Sequence, residues 1–126
     1  MDLPTQAHLK TLRQLLAYRL QELRADIHAA EQERRSLGTA TSGEVADRKD
    51  EAMRGQLSAL SEQQEERDRE EMRGVEAALR RLDAGVYGDC ETCSEPIPVQ
   101  RLLVQPAAAR CADCQARIES SAARAA

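Results

Sequence analysis

The stretch CETCSEPIPVQRLLVQPAAARCADC, residues 90–114, contains all four cysteines of the chain in two close pairs. Cys90 and Cys93 are separated by two residues, 17 residues follow, and Cys111 and Cys114 repeat the short spacing. Each pair can form a turn that directs two sulfur atoms at one metal ion, as in tetrahedral zinc sites. Because four thiolates leave no open coordination position, the pattern predicts one structural zinc ion and not a catalytic one.

Two other interpretations of the four cysteines are an iron–sulfur cluster and a pair of disulfide bonds. The segment Met1–Thr5 has no basic stretch followed by an apolar run, and the chain has no apolar stretch of about 18 residues. We therefore expect a cytosolic protein with no membrane contact. In a reducing cytosol, paired cysteines bind metal more often than they form disulfides, which favours zinc.

The composition argues against an ordinary compact enzyme domain. Of 126 residues, 32% are charged, two are Tyr, and there is no Phe or Trp, which leaves little material for a large core. The net charge is −4, and the arginines are interspersed with acids, as in residues 65–71. This pattern is typical of a solvated helix face and not of a basic surface for nucleic acid.

Apolar residues recur every three or four positions from Leu9 to Leu37, and a second helical stretch is expected from about Glu44 to Asp83. Its apolar residues at helical spacing are Met53, Leu57, Leu60, Val75, Leu79 and Leu82. The glycines and small hydroxyl residues of Ser36–Gly43 predict the turn between the two helices. The expected fold is mainly α: a long antiparallel helical hairpin, or coiled coil, with a small C-terminal four-cysteine zinc-finger module and a short terminal helix. The predicted domains are residues 1–84, with the hairpin tip near 38–52, and residues 85–126.

The seam of this hairpin is expected to be imperfect. Ser61–Glu71 is almost wholly polar, whereas the first helix is expected to present leucines opposite it, at positions 12, 15, 16 and 20. This mismatch has three possible explanations: a loosened hairpin, a surface that contacts another molecule, and coverage of the leucines by the aliphatic stems of Glu and Arg. We favour the third explanation.

The sequence resembles the DksA/TraR family of bacterial transcription regulators. The zinc-finger signature of that family is matched by the run Gly85–Cys93, by the second cysteine pair, and by Ile97, Arg101, Leu102 and Pro106 between them. One departure is Ser94, where a glycine is common. The family's acidic tip pattern, Asp-x-x-Asp-x-Ala, is matched by Asp47, Asp50 and Ala52, and the 40 positions from Asp50 to Cys90 agree with the family's layout.

The resemblance implies a protein that binds RNA polymerase directly and inserts its coiled-coil tip through the secondary channel toward the active centre. Asp47 and Asp50 are then expected to alter promoter complexes, with Ala52 allowing close approach. Without the family match, these two acids are explained by the favourable position of carboxylates near the positive end of a helix. The resemblance implies neither direct DNA binding nor an enzymatic activity.

Members of the family often act together with guanosine tetraphosphate, the alarmone of the stringent response. In a gap-free alignment through the cysteines, Arg67 occupies a basic position on the alarmone side, whereas Gly74, Gln105 and Gln115 replace basic residues. Loss of three cations weakens attraction for a polyphosphate. We therefore expect weak or absent synergy with the alarmone.

Two further functional interpretations remain open. One is a zinc-ribbon adaptor whose coiled coil binds another protein or itself, and the other is a zinc-dependent nucleic-acid binder. The acidic charge and the lack of an aromatic and basic surface argue against the second. An enzyme is not expected, because no nucleophile, base and open metal position occur together.

Overall fold

The structure is a computed structural model that describes the backbone of residues 3–40 and 48–125 and the side chains of residues 3–36 and 51–124. It contains four helices: α1 (Gln6–Ala40), α2 (Arg48–Ala84), α3 (Val99–Val104) and α4 (Ala112–Ala125). Within the described ranges, β-type pairing is limited to an isolated antiparallel bridge between Asp89 and Pro96. The mainly α fold, a helical hairpin followed by a cysteine module and a short terminal helix, is confirmed.

Helix α1 begins after a side-chain cap. The hydroxyl of Thr5 accepts a hydrogen bond from the backbone N–H of His8 at 3.3 Å, and the Thr5 N–H donates to the His8 ring at 3.0 Å. These reciprocal bonds satisfy two backbone donors, as in a capping box. The helix therefore starts at Gln6, three residues before the first leucine of the predicted stripe.

The turn predicted at Ser36–Gly43 is wrong in its first part, because α1 continues through Gly38 to Ala40. One glycine inside a helix costs about 1 kcal/mol, which is too little to end a long helix by itself. Residues 41–47, which include the rest of the predicted turn and the predicted start of the second helix at Glu44, lie outside the described residues. Helix α2 is described from Arg48 onward.

Helix α2 ends at a glycine. The Val86 N–H donates to the carbonyl of Arg81 at 3.0 Å, and the Gly85 N–H donates to the carbonyl of Leu82 at 3.3 Å, which is the Schellman pattern. Gly85 has φ +76°, a conformation that costs little only for glycine. The chain thus leaves the helix at Ala84, which is also the last residue of the first predicted domain. The domain boundary between residues 84 and 85 stays a prediction.

The chain forms two compact units, one of residues 1–19 and 74–126 and the other of residues 20–73. In the first unit, Leu12 of α1 is fully buried in a cluster with Ile97, Leu102, Cys90 and Cys114. The start of α1 therefore belongs to the same core as the cysteine module.

In the second unit, the seam between the helices contains Leu23, Ile27 and the buried carboxylate of Glu65. Arg34 donates to Glu65 at 2.7 Å, and Arg69 donates to Glu31 at 2.6 Å. Positions rise along α1 as they fall along α2, so the two helices run antiparallel in this unit.

These ion pairs correct the expected seam. The polar stretch Ser61–Glu71 pairs with Glu31 and Arg34 of α1, and not with the leucines at positions 12–20. Two of those leucines, Leu12 and Leu16, are buried in the other unit. Long Arg and Glu side chains of the two helices pair with each other in this seam.

The part of α2 that precedes Glu65, residues 51–64, is open to solvent. Every side chain from residue 51 to residue 64 is exposed, including Met53, Leu57 and Leu60. None of the helices in the described part of the chain is long and apolar enough to span a bilayer.

Candidate metal centre

The first cysteine pair lies in a tight backbone turn. The Ser94 N–H donates to the carbonyl of Cys90 at 2.9 Å, and the Cys90 N–H donates to the carbonyl of Glu95, also at 2.9 Å. The turn requires φ +65° at Ser94, a left-handed conformation that costs least for glycine. The departure noted in the sequence is therefore a left-handed residue that carries a side chain, which costs about 1 kcal/mol or more.

The second cysteine pair lies at the start of α4. Cys111 precedes the helix, and its carbonyl accepts the first helical hydrogen bond, from the Gln115 N–H at 3.0 Å. Cys114 is in the first turn of α4.

The four sulfur atoms of Cys90, Cys93, Cys111 and Cys114 all lie within 4.8 Å of one another. The sulfurs of Cys93 and Cys111, one from each pair, are 3.9 Å apart. A tetrahedral site with Zn–S distances of about 2.3 Å places its sulfurs about 3.8 Å apart. The residues therefore fit one structural zinc ion held by four thiolates, as predicted.

The two buried cysteines have different proton affinities. Hydrogen bonding from the backbone N–H of Cys93, followed by weaker backbone contacts, lowers the pKa of Cys90 to about 6 despite its burial. The neighbouring sulfur of Cys111 and then burial raise the pKa of Cys114 to about 12. Zinc binds thiolates, so binding releases protons from this group of sulfurs.

The site is closed on its inner side by the core of the first unit. Cys90 and Cys114 are buried beside Leu12, Ile97 and Leu102, whereas Cys93 is exposed. An ion with its inner face against an apolar core and with four thiolate ligands has a structural role, because water has no coordination position to occupy.

Tyr87 fastens the loop between the cysteine pairs to the segment before them. Its hydroxyl donates to the carbonyl of Pro106 at 2.8 Å, and burial raises its pKa to about 12. The side chain also packs against the cluster that holds Cys90.

The side chain of Arg101, a residue of the sequence signature, holds the backbone next to Cys111. Its Nε donates to the carbonyl of Arg110 at 3.1 Å, next to Cys111. Arg110 in turn forms an ion pair with Glu91 at 2.6 Å. This ion pair was not predicted from the sequence, although Glu91 directly follows Cys90 and Arg110 directly precedes Cys111.

The predicted tip residues are only partly described. Asp47 lies outside the described residues, and the backbone of Asp50 is in α2 but its side chain is outside them. Ala52 is exposed on the first turns of α2. The contacts expected of these three residues stay predictions.

The residues predicted for the alarmone side lie at separate places in the chain. Arg67 is exposed on α2, and Gly74 lies on the same helix with open space around its Cα. Gln105 is exposed after α3, and the side chain of Gln115 donates to Glu119 at 3.0 Å. None of these observations tests alarmone binding.

Comparison with known proteins supports the assignment of the four-cysteine module as a zinc finger. Residues 85–120 match the family described as the prokaryotic dksA/traR C4-type zinc finger. Among solved structures, transcription factor DksA2 from Pseudomonas aeruginosa matches with a TM-score of 0.74 and 32% sequence identity. That match covers 92% of this chain and 86% of the DksA2 chain.

The curated relatives include proteins that carry the name RNA polymerase-binding transcription factor DksA. The protein from Haemophilus influenzae is 34% identical over 70 residues, which are 56% of this chain and 48% of the relative. The protein from Caulobacter vibrioides is 38% identical over 61 residues, 48% of this chain and 43% of the relative. The matches thus span less than half the length of these relatives.

Proposed function

The chain belongs to the DksA/TraR family, and on that premise we propose that it is a transcription regulator that binds bacterial RNA polymerase directly. The observation that carries the proposal is the match of 92% of the chain, helices and zinc module together, to a solved DksA2 structure. The names of the two curated relatives support the choice of partner. The regulator is non-enzymatic, because its zinc ion has no open position for a substrate.

The regulatory contact lies at the acidic tip, at Asp47 and Asp50, and reaches the polymerase through its secondary channel. Helices α1 and α2 contain 35 and 37 residues, and helices of that length rise about 50 Å, which supports an insertion into a narrow channel. The uninterrupted exposure of α2 from residue 51 to residue 64 supports the proposal, since a surface that binds a partner must be free of internal packing. Carboxylates at the tip pair with basic groups of the polymerase.

Synergy with guanosine tetraphosphate is weak in this proposal. Arg67 supplies one exposed cation, but positions 74, 105 and 115 carry Gly, Gln and Gln. The Gln115 side chain is already hydrogen bonded to Glu119. A polyphosphate bound with few cations loses charge-assisted hydrogen bonds, which are about twice as strong as neutral ones.

The test is binding of the full chain to purified core polymerase, followed by transcription from a ribosomal RNA promoter. Asp50→Asn is expected to bind like the wild type and to lose the effect on transcription. Asp26→Asn, which removes one exposed carboxylate from α1, is the matched control and is expected to retain both properties. Lack of binding by the wild type contradicts the proposed function, and full activity of Asp50→Asn contradicts the role of the tip.

The same assay tests the alarmone. We expect the inhibition by this protein to change little when guanosine tetraphosphate is added, and strong added inhibition contradicts the proposal. Salt-sensitive binding of the protein to free DNA, without polymerase, indicates the nucleic-acid binder instead. Failure to bind polymerase together with self-association indicates the adaptor.

A further inference from the structure

The two halves of the zinc site are joined by an ion pair that does not involve the cysteines. Arg110 Nη2 lies 2.6 Å from Glu91 Oε1. Glu91 follows Cys90 in the first turn, and Arg110 precedes Cys111 in the second. The guanidinium therefore bridges the gap between the two cysteine pairs.

The backbone on both sides of this pair is also held. The Glu91 N–H donates to the carbonyl of Ala109 at 2.9 Å, and Arg101 Nε donates to the carbonyl of Arg110 at 3.1 Å. Arg110 is thus fixed at its main chain by Arg101 and at the end of its side chain by Glu91. A side chain fixed at both ends has little freedom to redirect its remaining donors.

One of those donors has no partner in the described part of the protein. Arg110 Nε is buried and makes no hydrogen bond to any described residue, although the guanidinium remains charged in proteins. A buried donor left unpaired costs about 1–3 kcal/mol, so such a group calls for an acceptor.

The zinc site supplies a partner of the right chemistry. A zinc ion with four thiolates has an excess of negative charge, and its sulfurs accept hydrogen bonds while they bind metal. Arg110 directly precedes Cys111, and its ion pair with Glu91, the residue after Cys90, holds the charged guanidinium between the two cysteine pairs. Donation to a sulfur satisfies the nitrogen and offsets part of the charge of the site.

We propose that Arg110 is a positioning residue of the zinc site: held by Glu91, it donates its Nε–H to a zinc-bound thiolate and strengthens retention of the metal. Glu91 acts through Arg110, since it contributes no ligand. The proposal concerns the metal centre alone and is independent of RNA polymerase.

The first test compares zinc affinity of the full-length protein by competition with a chromogenic chelator. Arg110→Lys keeps the positive charge for Glu91 and lacks the Nε–H. We expect its zinc dissociation constant to rise about 10-fold, as for other groups that orient metal ligands. Arg124→Lys, the same change at an exposed position late in α4, is the matched control and is expected to bind zinc like the wild type.

The second test needs no variant. In the wild-type protein loaded with an NMR-active cadmium isotope in place of zinc, scalar coupling between the metal and the Arg110 Hε proton reports the N–H···S hydrogen bond directly. We expect this correlation in the wild type and its loss in Arg110→Lys. Absence of the correlation in the wild type overturns the proposal, as does an affinity of Arg110→Lys within about twofold of the wild type.

Discussion

Glu65 on α2 accepts a hydrogen bond from Arg34 on α1 at 2.7 Å, and its side chain is only 7% exposed. Arg69 donates to the same oxygen at 3.1 Å and to Glu31 at 2.6 Å, so the two carboxylates together balance the two arginines. This arrangement gives the polar seam of the second unit its register, because a shift along either helix separates the charges.

Replacing Glu65 by Gln is expected to lower the free energy of unfolding by about 1–2 kcal/mol, since Arg34 loses this charged partner and Arg69 keeps only Glu31. Glu65→Leu is expected to be as stable as the wild type or more stable, because an apolar side chain packs in the seam without a desolvation cost. Thermal unfolding followed by circular dichroism measures both changes. Glu66→Gln is the control: Glu66 is 68% exposed and pairs with Arg73 at 3.2 Å, so we expect a change under about 0.5 kcal/mol. Equal effects at positions 65 and 66 contradict the assigned role of the buried carboxylate.

Leu12 tests whether α1 contributes to the zinc module. It is fully buried in the cluster that contains Cys90 and Cys114, so Leu12→Ala is expected to cost about 3 kcal/mol and to speed the loss of zinc to a chelator. Leu15→Ala, at a leucine of the same helix that is 44% exposed, is expected to change both quantities little. Unchanged zinc release in Leu12→Ala shows that the module is independent of α1.

We expect a substitution at Ser94 to stabilise the protein. Its φ of +65° favours glycine, so Ser94→Gly is expected to raise the free energy of unfolding by about 1 kcal/mol. Ser94→Ala, which has the same backbone preference and lacks the hydroxyl, is expected to match the wild type. Chemical denaturation of the zinc-loaded proteins measures both. Stabilisation by alanine as well as glycine indicates an effect of the hydroxyl and not of the backbone.

Because Tyr87 is partly buried, we expect the protein to lose stability at high pH. Its folded-state pKa of about 12 lies above the value of about 10 for an unfolded chain. The folded state therefore holds the proton more tightly, and the resulting stability is complete below pH 10 and falls as the pH rises from about 10 to about 12.

The measurement uses Tyr18→Phe, which removes the other tyrosine of the chain, an exposed one. Tyrosinate absorbance then reports Tyr87 alone, and we expect its midpoint in the folded protein above that of the denatured protein. Tyr87→Phe in the otherwise wild-type chain is expected to remove the alkaline loss of stability and the hydrogen bond to Pro106. Coinciding midpoints in the folded and denatured protein contradict the assigned burial.

The zinc ligands could be predicted because the short spacing within each cysteine pair already constrains the geometry. A turn of four residues brings Cys90 and Cys93 together wherever the rest of the chain lies, and the same holds for Cys111 and Cys114. The two amphipathic helices were also predictable, since their apolar periodicity is local.

The register of the hairpin could not be predicted in the same way. Ser61–Glu71 has no apolar residue that selects a partner, so its opposition to Glu31 and Arg34 depends on charge pairs between distant positions. The extension of α1 to Ala40 was missed because Gly38 suggests a stop, although one glycine costs too little to end a long helix. The charges of Glu91 and Arg110 adjoin the two cysteine pairs, but the sequence alone does not show that they pair with each other.

The burial of Leu12 beside Cys90 and Cys114 also determines when the first unit can fold. The cluster joins residues roughly 100 positions apart, so its formation closes a very long loop. During synthesis on the ribosome, the start of α1 emerges first and must remain without its core until the second cysteine pair has been translated. Metal capture is therefore a late step in the biogenesis of this protein, and a nascent chain stalled before Cys111 exposes Leu12 to chaperones.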